Sequence, residues 1–470
     1  MTVLRRLAAR VGEFDALIAG GALALMLLIP LLEIVLRPLF GKGIENAPVL
    51  VQHLGLVLAM FGALVAERGQ HLSSLGAGLV AASNPLLRAG AQVFAQASAA
   101  VLCGMLILKR LFFGLGSVTD LNGGYPWGLW ISFDLLIGTG FACGGWALAW
   151  AVYVFNRGEY HPLVRPALLA SLFGYSLGGL SITIDVGRYW NLPYFYLPGH
   201  FNTSSVLFET AVCMTIYIGV MALEFAPVLL EKFGWKASLI RLNKIMFFVL
   251  ALGALLPTMH QSSMGSLMIV AGEKIHPLWQ SYELLPVFSL LTAFIMGFSI
   301  VVFEGSLVQA GLAGRGPNEK SLFYKLTQVI DIFLILFVAL RFAEIVINDK
   351  SEYLSEWNRY ALMFWSEIAL MIFPLLVFHW DKSRRDSRML FLGALSMLLG
   401  AALWRLDYSL LAFNPGNGYH YFPSAAEVLI SLGFVAIEVC AYLLLIRLLP
   451  VLPSLERVHQ DYQARGKANV

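Results

Sequence analysis

Three ionisable side chains stand inside long apolar stretches of the sequence, namely Asp134, Glu209 and His260. A charge at the centre of a bilayer costs about 2.5–3.5 kcal/mol on insertion scales, and ionisable residues within membrane helices usually mark a pathway or a site. These acid and base groups are suited to handling protons. Aromatic residues precede the first of them, because Tyr125 and Trp127 open the stretch YPWGLWISFD. Such aromatics either line a site or anchor a helix at the membrane interface, and the sequence leaves both open.

Helices must position these residues, because the chain is far more apolar than a soluble domain. Of its 470 residues, 59% are hydrophobic and 13% are charged, and the mean hydropathy is +0.74. A helix needs about 20 apolar residues to span a bilayer, where backbone groups find no partners outside the helix. The sequence therefore predicts an all-α integral membrane protein with about twelve transmembrane helices. They are expected near residues 16–36, 47–66, 91–113, 130–154, 164–184, 205–228, 243–264, 284–305, 322–346, 361–379, 388–413 and 425–449.

The distribution of lysine and arginine predicts the orientation of these helices. If the amino terminus is cytoplasmic, most of the lysine and arginine residues fall in cytoplasmic segments. The positive-inside rule therefore places both termini in the cytoplasm. The net charge of +3 follows from this bias and does not indicate nucleic-acid binding. In this topology the outer ends of four successive helices converge. The residues gathered there are Tyr125, Trp127, Asp134, Asp185, Arg188, Glu209, His260, Gln261 and Ser262.

A rim of helix ends with aromatic walls, acids and a histidine suits a flat, partly polar ligand with a long apolar tail, as in a quinone. Asp185 and Arg188 have an alternative role as a structural ion pair at a helix end. Further ionisable groups continue inward, at Tyr175 and, toward the cytoplasmic helix ends, at Glu224 and Glu304. Quinone reduction takes up protons together with electrons. The inward acids, together with Glu209, are therefore predicted to transfer protons, and interhelical hydrogen bonding is the alternative for each.

Composition argues against a bound metal or haem. The four cysteines lie singly within predicted helices, without the CxxC spacing of iron–sulfur or zinc sites. A haem of the cytochrome b type needs paired histidines that face each other in the bilayer, yet only His53 and His260 fall clearly within predicted spans. We therefore expect no haem, no iron–sulfur cluster and no metal in this chain, so electrons must come from a partner subunit. Arg405 and Asp407 are expected to form a structural ion pair.

About three quarters of the chain, roughly residues 100–453, resembles a known family. The stretches that carry the likeness include KRLFFGLGSVTDLNGGYPWGLWISFDLLIG, ALGALLPTMHQSSMGSLMI, FSIVVFEGSLVQAGL and FVAIEVCAYLLLIRLLP. They resemble the membrane subunits of haem-less, periplasm-facing nickel-iron uptake hydrogenases, which belong to the polysulfide-reductase (NrfD/PsrC-like) membrane-subunit family. For residues 91–453 the resemblance implies two packed four-helix bundles plus peripheral helices, in the inner membrane of a bacterium, with a quinone pocket near the outer surface.

The resemblance also implies partners and roles. Large and small nickel-iron subunits and a ferredoxin-like iron–sulfur subunit would oxidise hydrogen and deliver electrons to menaquinone or ubiquinone at this chain. Carried onto this sequence, the pocket would be lined by Tyr125, Trp127, Asp134, Tyr175, Asp185, Arg188 and His260. The proton-handling acids would be Glu209, Glu224 and Glu304. Proton translocation coupled to quinone chemistry is a further property that the resemblance suggests.

Residues 1–90 depart from that family. The stretch EIVLRPLFGKGIENAPVLVQHLGLVLAMFGALVAERGQH resembles the small membrane subunit of tripartite ATP-independent periplasmic (TRAP) transporters, through Glu33, Arg37, Gly41, Arg68 and His71. The alternative function is therefore a small subunit that pairs with a large permease to carry an organic acid. Only two helices precede the span at 91–113, whereas such subunits usually have four. A natural fusion, a retained transporter role and an artificial junction stay open, and residues 454–470 are expected to form a polar cytoplasmic tail.

Overall fold

The computed structural model describes residues 101–311, 320–378, 380, 384–416 and 418–451. Nearly all of these residues belong to one compact unit. Helices dominate, and within the described ranges the only β-type pairing is an isolated bridge between Ile275 and Phe413. The predicted all-α membrane class is confirmed.

Ten helical segments, labelled α1 to α10, follow one another along the described chain. They are α1 (101–113), α2 (Trp130–Val154), α3 (Gly158–Asp185), α4 (Val206–Phe233), α5 (Lys236–Ser266), α6 (Leu285–Gly311), α7 (Lys320–Ile347), α8 (Arg359–Phe378), α9 (Ser387–Leu411) and α10 (Ala425–Leu448). Within the described residues, eight helices, all but α1 and α7, are long and apolar enough to cross a membrane. The predicted spans at 16–36 and 47–66 lie outside the described residues, so the total of twelve stays a prediction.

Helices α2–α5 pack as one group and α6–α9 as another, with α1 and α10 alongside the first. The two groups meet where α6 crosses α2. A Cβ atom at Gly297 of α6 would lie 2.6 Å from the carbonyl oxygen of Cys143, so only glycine allows this approach. On α3, a Cβ at Gly174 would lie 2.6 Å from the Cβ of Ala142 on α2. Small residues therefore set the spacing at both contacts.

Two π-helical stretches lie at the same end of the molecule, which we call the site end. Trp130–Ile137 opens α2, and Asp407–Leu411 closes α9. π-helical turns are rare in proteins, and those that do occur are often found at functional sites. The opposite end is fastened by ion pairs, such as the one of 2.8 Å between Arg165 of α3 and Glu231 of α4.

Arg405 joins the two helix groups near the site end. It is fully buried, and its guanidinium donates to the carbonyl oxygens of Leu136 (2.5 Å) and Ser289 (2.9 Å) and to the hydroxyl of Thr292 (3.2 Å). The predicted ion pair between Arg405 and Asp407 is wrong. Residues two apart on a helix do not face each other, so the arginine turns toward α2 and α6 while the aspartate turns away from it.

Candidate functional site

The loop between α1 and α2 forms an aromatic mouth at the site end. The ring of Tyr125 packs against Phe413 and Tyr421, with centroid distances of 5.5 and 5.4 Å. The indole Nε1–H of Trp127 donates to the carbonyl oxygen of Ser409, 3.1 Å away in the π-helical turn of α9. Burial raises the pKa of Tyr125, so its phenol is neutral at physiological pH. These contacts place the mouth across the ends of both helix groups.

Glu427, in the first turn of α10, fastens this loop, and sequence reasoning missed it. Its carboxylate accepts hydrogen bonds from the Tyr421 hydroxyl (2.5 Å), the Ser424 backbone N–H (2.7 Å) and the Asp120 backbone N–H (3.2 Å). Ser424 in turn caps the helix through the Glu427 N–H, which completes a capping box. The Tyr421 hydroxyl also accepts from the Leu129 N–H at 2.8 Å. The S-x-x-E pattern of SAAE was the sequence signal that could have found this residue.

Beneath the mouth, Asp134 and Asp185 form a pair of acids. Asp134 is buried in the π-helical stretch of α2, and the Ser431 hydroxyl of α10 donates to its carboxylate at 2.8 Å. Asp185 ends α3 and interacts electrostatically with Asp134 and with Glu427. Neighbouring carboxylates in a water-poor site are unfavourable when all are ionised, so this acid cluster is suited to holding a proton.

The cation beside the acid cluster is Arg110 of α1. Its buried guanidinium donates to the carbonyl oxygens of Ile184 and Val186, the second at 2.6 Å, and it interacts electrostatically with Asp185. Arg188 is exposed, and no ion pair with Asp185 forms in the described residues. Because Arg110 stands at the end of a predicted span, the sequence offered no reason to separate it from an ordinary interfacial arginine.

A second polar group lies deeper, among α2, α3, α4 and α5. Tyr175 is fully buried, and its hydroxyl accepts from Gln261 (3.2 Å) and lies 3.5 Å from the Cys143 sulfur. Two rings pack against the ring of Tyr175. The centroid of His260 lies 5.6 Å from that of Tyr175, and Tyr217 packs edge-on against Tyr175 with a centroid distance of 4.7 Å. His260 is fully buried, and within the described part of the chain neither ring nitrogen has a hydrogen-bond partner of good geometry. An unmet polar group of this kind is costly and indicates a position for water or a ligand.

The predicted proton-handling acids lie at different depths. Glu209 is partly buried in the first turn of α4, where the backbone of its neighbour Thr210 faces the His260 ring. Glu224 lies further along α4, and its carboxylate fits against Gly253 of α5, where a Cβ atom would collide with the Oε1 atom. That Oε1 atom is buried and has no hydrogen-bond partner in the described chain.

Glu304 belongs to a separate group. It lies on α6 and interacts electrostatically with Glu438 of α10, whose Oε1 atom would be 3.5 Å from a Cβ at Gly174 of α3. The structure thus places Tyr125 and Trp127 at the mouth, Asp134 and Asp185 directly beneath it, and Tyr175 and His260 deeper. It places Glu224 and Glu304 on different helix pairs further along the bundle.

Comparison with known proteins identifies the family of this chain. Residues 117–412 match the family described as polysulphide reductase, NrfD. The chain belongs to the NrfD family. The probable Ni/Fe-hydrogenase 2 b-type cytochrome subunit of Escherichia coli K12 is 74% identical over 368 residues, which are 78% of this chain and 94% of that protein. The predicted family membership is confirmed.

More distant relatives have related names. A selenate reductase subunit of Mesobacillus selenatarsenatis is 24% identical over 391 residues, covering 72% of this chain and 88% of that protein. The menaquinone reductase integral membrane subunit of Nitratidesulfovibrio vulgaris is 30% identical over 160 residues, covering 33% and 37%. The predicted TRAP-like segment, residues 1–90, lies outside both the family match and the described residues, and it stays a prediction.

The name of the E. coli relative raises the question of a haem in this NrfD-family chain. Among the described residues, His260 is the only histidine buried within a membrane helix, and its ring faces Tyr175 rather than a second histidine. His161 is exposed at the start of α3, and His276 lies in the connection between α5 and α6. Paired axial histidines are therefore missing from the described part of the chain, and these residues do not fit a haem of that type.

Proposed function

We propose that this chain is the quinone-reactive membrane subunit of a nickel-iron hydrogenase complex, which passes electrons from the iron–sulfur clusters of its partners to menaquinone or ubiquinone. The names of the E. coli and N. vulgaris relatives support the hydrogenase and quinone parts of this proposal. The observation that carries it is the buried carboxyl group of Asp134, held by Ser431 directly below an aromatic mouth. A quinone head group needs such an arrangement, with an aromatic slot and a proton-bearing group at its end.

Quinone reduction adds two electrons and two protons, so each head-group oxygen gains one proton and becomes a hydroxyl. The head group enters beside Tyr125 and Trp127, and the buried Asp134 carboxyl donates the first proton to one oxygen. Arg110 balances the negative charge left on the acid pair, and the second proton reaches the other oxygen through the Tyr175 and His260 group below. Electrons come from the iron–sulfur clusters of the partners, since the four cysteines of this chain lie singly within helices, without the spacing of a cluster site.

Tyr175, His260 and Glu209 then return protons toward the mouth, and Glu224 and Glu304 supply them from the other half of the bundle. Tyr217 lies between the Tyr175 group and Glu224, since it packs on Tyr175 and interacts electrostatically with Glu224. Seven residues separate Tyr217 from Glu224 on α4, or about 10 Å along the helix, so water must complete the path. Hydrogen oxidation by partners on the outer side releases two protons there, so uptake of the two quinone protons from the cytoplasmic side would make the overall reaction proton-translocating.

The proposal includes a location and a set of partners. The chain lies in the inner membrane with both termini in the cytoplasm, as its lysine and arginine distribution predicts. The mouth then faces the outer side, where a ferredoxin-like subunit docks and links it to the large and small nickel-iron subunits. Purification of the tagged chain in mild detergent should recover these three subunits. Recovery of a large transporter permease without them would support the alternative transporter function.

Asp134→Asn tests the chemical part of the proposal. The amide keeps the size of the side chain and can still accept from Ser431, but it has no acidic proton to give. We expect hydrogen-dependent quinone reduction by the assembled complex to fall by about 100-fold or more, the usual effect of losing an acid–base group. Hydrogen oxidation with an artificial dye should be unchanged. Asp120→Asn is the control, because that side chain is exposed.

The two assays separate the outcomes. Equal loss with quinone and dye would assign Asp134 a structural role in assembly. Full quinone turnover in Asp134→Asn would remove this residue from the mechanism.

A further inference from the structure

A second buried polar cluster lies in the other helix group, and the proposed quinone chemistry does not use it. Arg341 of α7 and Glu367 of α8 are both fully buried, and they form an ion pair of 3.3 Å. The Arg341 Nη1 group donates to the carbonyl oxygen of Leu278 at 2.8 Å, and the Trp279 indole donates to Glu367 at 3.1 Å. One positive and one negative charge therefore already balance each other.

Asp407 adds a second carboxyl group to this cluster. It is fully buried at the end of α9, and neither of its carboxylate oxygens has a hydrogen-bond partner in the described residues. It interacts electrostatically with Glu367 and Arg341, whereas the guanidinium of Arg405 is turned toward α2 and α6. The neighbouring Tyr408 hydroxyl and the Nη2 group of Arg341 are also buried, and neither has a hydrogen-bond partner among the described residues.

These contacts determine the protonation state of Asp407. An ionised carboxylate without a hydrogen bond is strongly unfavourable in a buried site, and Arg341, the cation of this cluster in the described part of the chain, is already paired with Glu367. With Asp407 ionised, the cluster would carry a net negative charge away from water. With Asp407 as a neutral acid, the cluster is electrically balanced, and the remaining polar atoms can bind water.

We propose that Asp407, together with Glu367 and Arg341, is a second proton-binding site, located in the α6–α9 group. The π-helical turn that contains Asp407 also contacts the mouth, because the carbonyl oxygen of Ser409 in that turn accepts the hydrogen bond from Trp127. The site is also connected to the surface of the site end. Glu344 follows Arg341 by one turn of α7, and its buried Oε2 atom has no hydrogen-bond partner among the described residues. Its Oε1 atom forms an ion pair with Lys350 and accepts from the exposed Asn348 at 3.0 Å.

Two isosteric variants of the purified full-length chain test this site. Asp407→Asn imitates the neutral acid, so we expect a melting temperature close to that of the wild type. Glu367→Gln leaves the buried Arg341 without its ion-pair partner, so we expect a clearly lower melting temperature. In infrared spectra at neutral pH, the carbonyl band of protonated carboxylic acids should lose about one equivalent in Asp407→Asn.

The exposed Asp349→Asn is the control for both readouts. Its backbone has a positive φ of 53°, which asparagine also adopts readily. An unchanged carboxylic-acid band in Asp407→Asn would show that Asp407 is ionised and would overturn the proposal. A loss of stability as large as that of Glu367→Gln would overturn it as well. Neither measurement uses hydrogen or quinone, so its result is independent of the proposed function.

Discussion

The most specific structural prediction concerns Glu427, because one carboxylate holds the mouth loop to α10. Glu427→Ala removes the acceptor of three hydrogen bonds, from Tyr421, Ser424 and Asp120. Glu427→Gln keeps the shape of the side chain. Its amide oxygen can face the two backbone N–H groups while its NH₂ group donates to the Tyr421 hydroxyl, which can turn to accept.

The expected magnitudes follow from these contacts. Hydrogen bonds to a charged group contribute about 1.5–3 kcal/mol each, and loss of a helix cap costs about 0.5–2 kcal/mol. Water can replace part of this at the surface, so we expect a loss of roughly 3 kcal/mol for Glu427→Ala. For Glu427→Gln, which loses only the charge, we expect roughly 1 kcal/mol. At about 2 °C per kcal/mol, these correspond to decreases in melting temperature of about 6 and 2 °C.

The assay combines thermal unfolding of the purified chain with hydrogen-to-quinone turnover of the assembled complex. Glu427→Ala should lower quinone turnover and leave dye-linked hydrogen oxidation intact, and Glu427→Gln should preserve most of both activities. If the two variants are equally destabilised, the charge of Glu427 and not its hydrogen-bond geometry holds the loop. If neither is destabilised, the mouth does not depend on this residue and the reasoning is refuted.

Three further predictions concern packing, pH and proton transfer. Gly297→Ala should cost about 1–3 kcal/mol in thermal unfolding, because its Cβ would meet a backbone carbonyl of α2 at 2.6 Å, whereas Gly219→Ala, with open space around it, should be neutral. Burial and a nearby guanidinium lower the pKa of His276 to about 4, so the unfolded chain binds the extra proton as pH falls below about 6.5. Stability should therefore decrease from pH 6.5 to 4, by about 1 kcal/mol because solvent screens this partly exposed group, and His276→Gln should reduce this dependence; an equal slope in both proteins would refute it. Glu209→Gln should impair hydrogen-to-quinone turnover more than dye-linked oxidation, and equal loss in both assays would indicate a structural role.

The positions of the long helices could be predicted from the sequence, because the length of an apolar run limits where a membrane helix begins and ends. The expected span at 361–379 corresponds to the helix Arg359–Phe378, and the span at 425–449 corresponds to Ala425–Leu448. Even the charged helix Lys320–Ile347 was expected near its observed position.

The arrangement of the site was less predictable, because its contacts join residues far apart in the chain. Glu427 binds the backbone of Asp120, more than 300 positions away, and its only local signal is a capping box. Arg110 is the cation beside Asp185 because α1 packs across the end of α3, a contact that the sequence did not predict. The π-helical turns that direct Asp134 and Asp407 inward have no sequence signature comparable to an apolar run.

The central claim, that this chain connects hydrogen oxidation to quinone, is tested most directly by one measurement on the complete complex. Hydrogen-dependent reduction of a menaquinone analogue should be measured with the nickel-iron and iron–sulfur subunits, first with this chain and then without it. We expect quinone reduction to require this chain, whereas hydrogen oxidation with an artificial dye should not. Equal rates of quinone reduction with and without this chain would contradict the proposed role.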